Sequence, residues 1–436
     1  MTVRVAINGF GRIGRLVLRA IIESGRTDLE VVAINDLGSV SDNAHMLQYD
    51  TVHGRFPHKV TAGEGELSFD GKTIKVLAER NPADLPWKDL GVDIPNDGEY
   101  GHTMSSTVDY GAWWNYSFSR LGGLEPTEVD RWADSQVQRS SPGNIVLTSF
   151  PDRRDRQLFN DAYNDPSSGI LAHRKAVTQP KIAGPLTYTG QALVASDIAN
   201  LKTGLAAAGL SDGFVASLSP GSCARVANEY YQSDEELLYA CADAMREEYK
   251  AIIDAGLTVQ LDDPSLAESW DQINPEPSLE DYLKFIQLRV EATNWALRDL
   301  PQEKIRLHVC WGSWHGPHTT DIPFADIIGS VLQINAGAYS FEAANVRHEH
   351  EWRVWEDTKL PEGKSIIPGV VSHATNVVEH PDLVADRIVR FADLVGRENV
   401  IASTDCGLGG RVHPQIAYAK LEALGEGARR ASKRLW

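Results

Sequence analysis

Cysteine is scarce in this chain. Cys223, Cys241, Cys310 and Cys406 are the four present in 436 residues, too few for the disulfide framework of a loop-rich secreted fold. A reducing cytoplasm is the expected setting, and there a thiolate is free to serve a metal. Positive charge is also short. Lys and Arg together number 42 against 60 Asp and Glu, a net charge of −18. A surface of that sign repels phosphate, which argues against nucleic acid or an anionic membrane as partner. The one basic cluster, Arg429, Arg430, Lys433 and Arg434, reads as a solvated helix end. Long apolar runs are missing: none approaches the roughly 18–20 residues that a membrane helix needs. No charged-then-apolar leader is expected either, because Met1 leads straight into a strand pattern. The length suits two or three domains, or one small domain and a barrel.

What is present begins with a fingerprint. Val3–Ile7 reads as a short apolar strand, and Gly9-x-Gly11-x-x-Gly14 follows at once. An apolar-periodic helix through Leu16, Val17, Ala20 and Ile21 comes next, then a strand at Leu29–Ile34 that ends on Asn35 and Asp36. Strand, glycine turn, helix, strand and an acidic residue about 20 positions on make up a dinucleotide-binding start. The glycines let backbone approach a pyrophosphate, which the helix N-terminus attracts. Asp36 is then placed to accept hydrogen bonds from an adenine ribose.

The wording here is specific. Ala6-Ile-Asn-Gly-Phe-Gly-Arg-Ile-Gly-Arg15, Ala33-Ile-Asn-Asp-Leu37, Tyr49-Asp-Thr-Val-His-Gly-Arg-Phe56 and Ala78-Glu-Arg-Asn-Pro82 closely resemble glyceraldehyde-3-phosphate dehydrogenase over residues 1 to about 94. The resemblance implies that Phe10, Arg12, Ile13, Asp36 and Arg80 line a nicotinamide dinucleotide beside Gly9, Gly11 and Gly14. It then stops. The Ser-Cys-Thr-Thr-Asn nucleophile segment of that family is absent, and Ser222-Cys223-Ala224 is only an echo of it. The second half of the nucleotide fold and the catalytic domain are missing. Dehydrogenase chemistry is therefore excluded, and any NAD binding is expected to be weak.

From Gly91 onward the pattern changes. Apolar runs at Lys181–Tyr188, Thr258–Leu261, Ile305–Cys310, Ala338–Glu342, Ile366–Val371 and Val400–Thr404 alternate with helical stretches such as Asp234–Ala255 and Leu383–Val395. Repeated strand-then-helix units predict a (β/α)8 barrel, whose chemistry sits at the C-terminal strand ends. His308 and Cys310 are two apart on a strand, so both leave the same face. Cys406 follows the last strand, which a barrel brings round into the same ring, and Glu342 ends a strand between them. One nitrogen, two sulfurs and a labile carboxylate favour zinc with a position open for substrate. A thiol bound there loses its proton near neutral pH and becomes a nucleophile.

This second part, from about Gly91 to about Lys420, resembles the C-terminal barrel of cobalamin-independent methionine synthase. It is still more similar to the shorter relatives of that barrel, which include epoxyalkane:coenzyme M transferase. The shared words are Asn96-Asp-Gly-Glu99, Gln260-Leu-Asp-Asp-Pro264, His308-Val-Cys310, Phe341-Glu342-Ala343, Pro368-Gly-Val370 and Asp405-Cys-Gly407. The resemblance implies that His308, Cys310, Glu342 and Cys406 hold zinc, that Glu99 and Asp262 hold the amino group of homocysteine, and that His373 is the acid–base histidine. Two departures leave homocysteine and folate as candidates only. The folate-binding N-terminal half of the synthase is absent, and Trp311-Gly-Ser-Trp-His-Gly-Pro-His318 replaces a short loop.

Other clusters carry less. His315, His318, His348 and His350 read as surface-loop residues, and Trp113, Trp114 and Tyr116 as packing. Ala195–Ser222 reads as an extra helix and short strand lying over the barrel. No linker separates the two parts, and the switch falls inside Gly91-Val-Asp-Ile94, so the chain reads as a fusion of two truncated genes. The expected fold class is α/β: a truncated Rossmann βαβ lobe over residues 1–90, then a TIM-type barrel over residues 91–436 that misses or replaces its first strand. The expected function is zinc-dependent methyl or alkyl transfer from a donor to a small-molecule thiol. This is the chemistry of a 5-methyltetrahydropteroyltriglutamate-homocysteine methyltransferase, impaired by the lost strand. The alternative is an NAD-binding fragment without dehydrogenase activity. The sequence does not specify an oligomeric state.

Overall fold

The structure is a computed structural model that describes residues 3–50, 54–78, 119–126, 139–148, 152–168, 170, 180–207, 212–312, 314–408 and 411–436. The chain folds as two compact units, Met1–Ser105 and Ser106–Trp436.

In the first unit, β1 (Val3–Asn8) leads through the helix Arg12–Glu23 to β2 (Leu29–Asn35), and the two strands pair in parallel. The helix Val40–Gln48 follows, its N-terminus capped by the Ser39 side chain, which accepts from Asp42 N. A short ladder of β3 (Tyr49–Asp50) and β4 (Gly54–Arg55) comes next, then β5 (Thr61–Ala62), β6 (Glu66–Phe69) and β7 (Lys72–Leu77). β6 and β7 form an antiparallel hairpin. β7 also pairs in parallel with β2, so the sheet order is β1-β2-β7-β6-β5. β2 thus has a partner on each side within this unit and is not a strand of the second sheet. Phe10, Leu18, Ile34, Leu47, Phe56 and Leu67 are at most 1% exposed and form the unit's own core.

The second unit opens with β8 (Leu121–Pro126) and β9 (Pro180–Tyr188), an antiparallel pair, and β9 also pairs in parallel with β11 (Ala227–Asn228). The main sheet holds six parallel strands in the order β10 (Phe214–Leu218), β12 (Thr258–Asp263), β13 (Ile305–Val309), β14 (Ala338–Phe341), β15 (Ser365–Val371) and β16 (Ser403–Thr404). Helices Asp234–Asp254, Leu279–Ala296, Phe324–Val331, Pro381–Val395 and Pro414–Leu435 follow strands in turn, as a βα repeat requires. Their starts are legible: Ser233 and Ser278 accept from Glu236 N and Asp281 N, with acidic first turns behind them. Val259, Leu261, Leu307 and Val309 are fully buried, each stabilising the fold by about 1.5–3 kcal/mol.

Two strand expectations are corrected. The run at Lys181–Tyr188 is not a strand of the main sheet; it belongs to the separate sheet with β8 and β11. The short strand inside Ala195–Ser222 does not lie over the barrel. As β10 it pairs with β12 from Phe214↔Thr258 to Leu218↔Asp262 and is part of the main sheet. Periodicity sees both runs as apolar strands and cannot tell which sheet receives them. Among the described residues the sheet stays open between β16 and β10. Residues 91–99, with the seam and Glu99, lie outside the described residues, as do Arg80, Trp113, Trp114 and Tyr116. No described helix is long and apolar enough to cross a membrane.

Candidate metal centre

Register builds the site. Asp262 of β12 stands opposite His308 of β13, and His308 opposite Ser340 of β14. Their side chains therefore leave one face in a row near the C-terminal strand ends. Cys310 and Glu342 lie two residues beyond His308 and Ser340, on that same face. Cys406 arrives from the loop after β16. A hydrogen bond from Asp405 N to Val371 O, 2.9 Å long, holds that loop to β15.

The ligand atoms of His308, Cys310 and Cys406 all lie within 4.8 Å of one another. His308 Nδ1 meets Ser340 Oγ at 3.1 Å, while Nε2 is buried without a hydrogen-bond partner. An imidazole fixed at one nitrogen with the other orphaned beside two sulfurs suits a metal ion, and one nitrogen with two thiolates suits zinc. Glu342 stands next to this trio and is not part of it. Its Oε1 accepts from Trp311 N at 3.2 Å and its Oε2 from Asn345 Nδ2 at 2.8 Å.

The electrostatics follow from three proton-binding groups crowded in a buried place. The hydrogen bond from Cys310, with help from His308, holds the Cys406 thiol well below its ordinary range against the effect of burial. The same bond, then burial, pushes Cys310 well up. Burial works to lower His308, but the neighbouring Cys406 thiolate, with the charges of Asp262 and Glu342, outweighs it and brings the imidazole up to about 9. Burial raises Asp262 to about 7 and Glu342 to about 8. His373, which follows β15, is pushed down to about 4, chiefly by burial. It is therefore neutral at pH 7, and its Nδ1 has no hydrogen-bond partner. Asp262 Oδ1 is likewise buried and unpartnered.

Asp405 stands in the sequence only as part of a motif, yet it carries much of the local order. Its Oδ1 accepts from Ala343 N at 2.8 Å and Ala344 N at 2.7 Å, and its Oδ2 accepts from Asn345 at 3.3 Å. It thereby ties the loop after β14 to the loop after β16. The signal that could have found it is Gly369: a Cβ there would sit 2.2 Å from Asp405 Oδ1.

The loop histidines correct the surface reading. His348 is 3% exposed, bonded through Nδ1 to Glu351 at 2.7 Å and through Nε2 to Asp321 at 3.1 Å. His318 pairs with the same Asp321 at 3.0 Å and stacks on Trp314. His315 is half-buried, and only His350 of the four is exposed. Loop position in sequence conceals this because the acidic partners come from the same long βα loops.

In the first unit the glycine turn is shaped as expected. Gly9 has φ +92°, and its N–H donates to Asn35 O at 2.7 Å. A Cβ on Gly14 would lie 2.1 Å from Gly9 O, whereas Gly9 and Gly11 face open space. Asp36 accepts from Phe10 N and Gly38 N, both at 2.8 Å, one on each carboxylate oxygen. Arg12 and Ile13 open the helix, whose N-cap Gly11 supplies no side-chain bond.

Comparison with known proteins divides the chain in the same way. Residues 3–98 match the family described as glyceraldehyde 3-phosphate dehydrogenase, NAD binding domain. Glyceraldehyde-3-phosphate dehydrogenase from Cereibacter sphaeroides is 68% identical over 94 residues, 22% of this chain and 28% of that protein. The enzyme from Xanthobacter flavus is 66% identical over 94 residues with the same shares. That from Thermotoga maritima is 63% identical over 91 residues, 21% of this chain and 27% of that protein. The chain thus spans under a third of the length of these curated relatives. Among solved structures, a B12-independent methionine synthase from Shewanella sp. W3-18-1 in complex with selenomethionine aligns with TM-score 0.54. It is 18% identical, and the alignment covers 80% of this chain and 85% of that one, which establishes a shared fold. The architecture is chimeric. Residues 161–429, more than half of the chain, match the family described as cobalamin-independent synthase, catalytic domain, and the chain belongs to that family.

Proposed function

We propose that the chain is a zinc-dependent transferase that moves a methyl or alkyl group from a donor to a small-molecule thiol. The observation that carries this reading is the convergence of His308, Cys310 and Cys406 within 4.8 Å at the strand ends. His308, Cys310 and Cys406 would hold the ion, with Glu342 as the exchangeable fourth ligand once it leaves Trp311 N. Zinc at such a site lowers the pKa of a bound thiol so that a thiolate is available near neutral pH.

The chain's own residues do the rest. Ser340 orients the His308 ring. Asp262, with Glu99, is the proposed seat of the substrate's amino group, and an arriving ammonium favours the ionised carboxylate that burial disfavours. His373, neutral and unpartnered at Nδ1, is the proposed proton acceptor or donor at the reacting thiol or leaving group. The test is elemental analysis of purified protein together with an assay of methyl transfer to homocysteine and to simpler thiols. Well-folded protein without zinc would sink the reading.

A second reading stands on the first unit. The cradle at Gly9–Gly14 and Asp36 supports weak binding of a nicotinamide dinucleotide through its adenosine diphosphate half, with no dehydrogenase turnover. Dinucleotide titration against metal-free protein separates the two readings.

A further inference from the structure

Arg289, on the helix Leu279–Ala296, is a buried cation. It is 5% exposed, and its guanidinium lies 3.4 Å from the centroid of the Phe285 ring. Nη1 donates to Phe285 O at 2.9 Å, and Nε is buried with no hydrogen-bond partner. Among the described residues no carboxylate lies within ion-pair distance of it; Asp234 and Asp263 influence it only through space. Burial lowers it to about 10, so it stays charged at neutral pH. An unpaired buried charge is costly, and proteins rarely keep one without use.

Arg289 lines a cavity of about 550 Å³, within the range that holds a small organic ligand. Arg225 forms another wall, but its guanidinium is engaged by Glu268 at 2.8 Å and Gln272 at 2.5 Å. The Asn228 side chain is engaged by the backbone of Tyr230 and Tyr231. Much of the remaining lining is apolar: Ile145, Leu147, Val226 and Leu237 among others. Asp234 and Glu229 also border the cavity and repel a multiply charged anion. None of the cavity's lining residues belongs to the cluster of His308, Cys310 and Cys406.

We infer that this cavity binds a monocarboxylate with an apolar body, its carboxylate received by the Arg289 guanidinium and its body lying against Phe285 and the aliphatic wall. The planar fork suits a carboxylate, which can take two parallel N–H bonds. A phosphate, carrying more charge, meets Asp234 and Glu229.

The full chain is titrated by calorimetry with octanoate, with octanamide as the uncharged control and with inorganic phosphate. Saturable octanoate binding, at least tenfold tighter than octanamide or phosphate and weakened at least tenfold in Arg289→Met, is the expected result. Failure of octanoate to saturate overturns the inference, as does octanamide or phosphate binding as well as octanoate, or octanoate binding unchanged in the variant. Should Arg289→Met not fold, the wild-type melting temperature decides. A rise with octanoate and none with octanamide supports the site, and equal or absent shifts overturn it.

Discussion

His308 Nδ1 and Ser340 Oγ meet at 3.1 Å across two adjacent strands held in register. The contact holds the imidazole by one ring nitrogen and leaves Nε2 buried without a hydrogen-bond partner. Ser340→Ala should leave the fold intact and weaken zinc binding about 10–100-fold, the usual effect of losing such a supporting partner. Competition with a chromogenic chelator measures it; an unchanged affinity would show that the strand alone orients the ring.

Cys406→Ser should remove most of the zinc and the thiol transfer activity together, because a hydroxyl is a far poorer donor to zinc than a thiolate. Metal content per chain reports the first and turnover the second. Full zinc occupancy in the variant would place Cys406 outside the metal site.

Gly369→Ala tests how the site is braced. The added Cβ would lie 2.2 Å from Asp405 Oδ1 and 2.5 Å from its Cα, so strand or loop must shift. Overpacking of this kind costs about 1–3 kcal/mol, read as a lower midpoint in denaturant. Zinc affinity should fall as well, since Asp405 precedes Cys406.

The nucleotide cradle yields a sharper test. NAD and ADP-ribose should bind about equally if either binds, because the likeness to the NAD binding domain takes in the residues assigned to the adenosine and pyrophosphate and ends at residue 98. Gly14→Ala should abolish both, since its Cβ would meet Gly9 O at 2.1 Å. Calorimetry that shows clearly tighter NAD would mean a rebuilt nicotinamide pocket.

One pH effect follows from His348. Burial works to lower it, but the hydrogen bonds to Asp321 and Glu351 prevail and raise it to about 10. A histidine raised on folding adds stability that is fully present below its unfolded pKa of about 6.5. That stability is lost as pH rises through about 10. His348→Gln should therefore cost more stability at pH 6 than at pH 10 in urea unfolding; an equal cost at both would show that the charge contributes nothing.

Much of this arrangement is legible in the order of residues alone. The glycine fingerprint is legible because its geometry is local: one strand, one turn and one helix determine where Gly9, Gly14 and Asp36 meet. The candidate metal ligands are legible because a two-residue spacing on a strand places His308 and Cys310 on one face whatever surrounds it. The membership of β9 and β10 is not legible, because an apolar run states that a strand is buried and not which neighbour it takes. The burial of His318 and His348 is hidden for a similar reason: their environment is made by Asp321, Glu351 and Trp311, gathered by the folding of loops.

The sequence by itself determined that stretches of two unrelated families share one chain and which residue types could hold zinc. Only the tertiary structure decided that Cys406 reaches His308 and Cys310, that Asp405 ties two loops behind them, and that Arg289 sits charged beside an open cavity. The physical reason is range. Helix periods, caps and glycine turns act over a few residues, whereas a parallel sheet brings together strand ends far apart in the chain, and proximity and burial there set both ligation and charge.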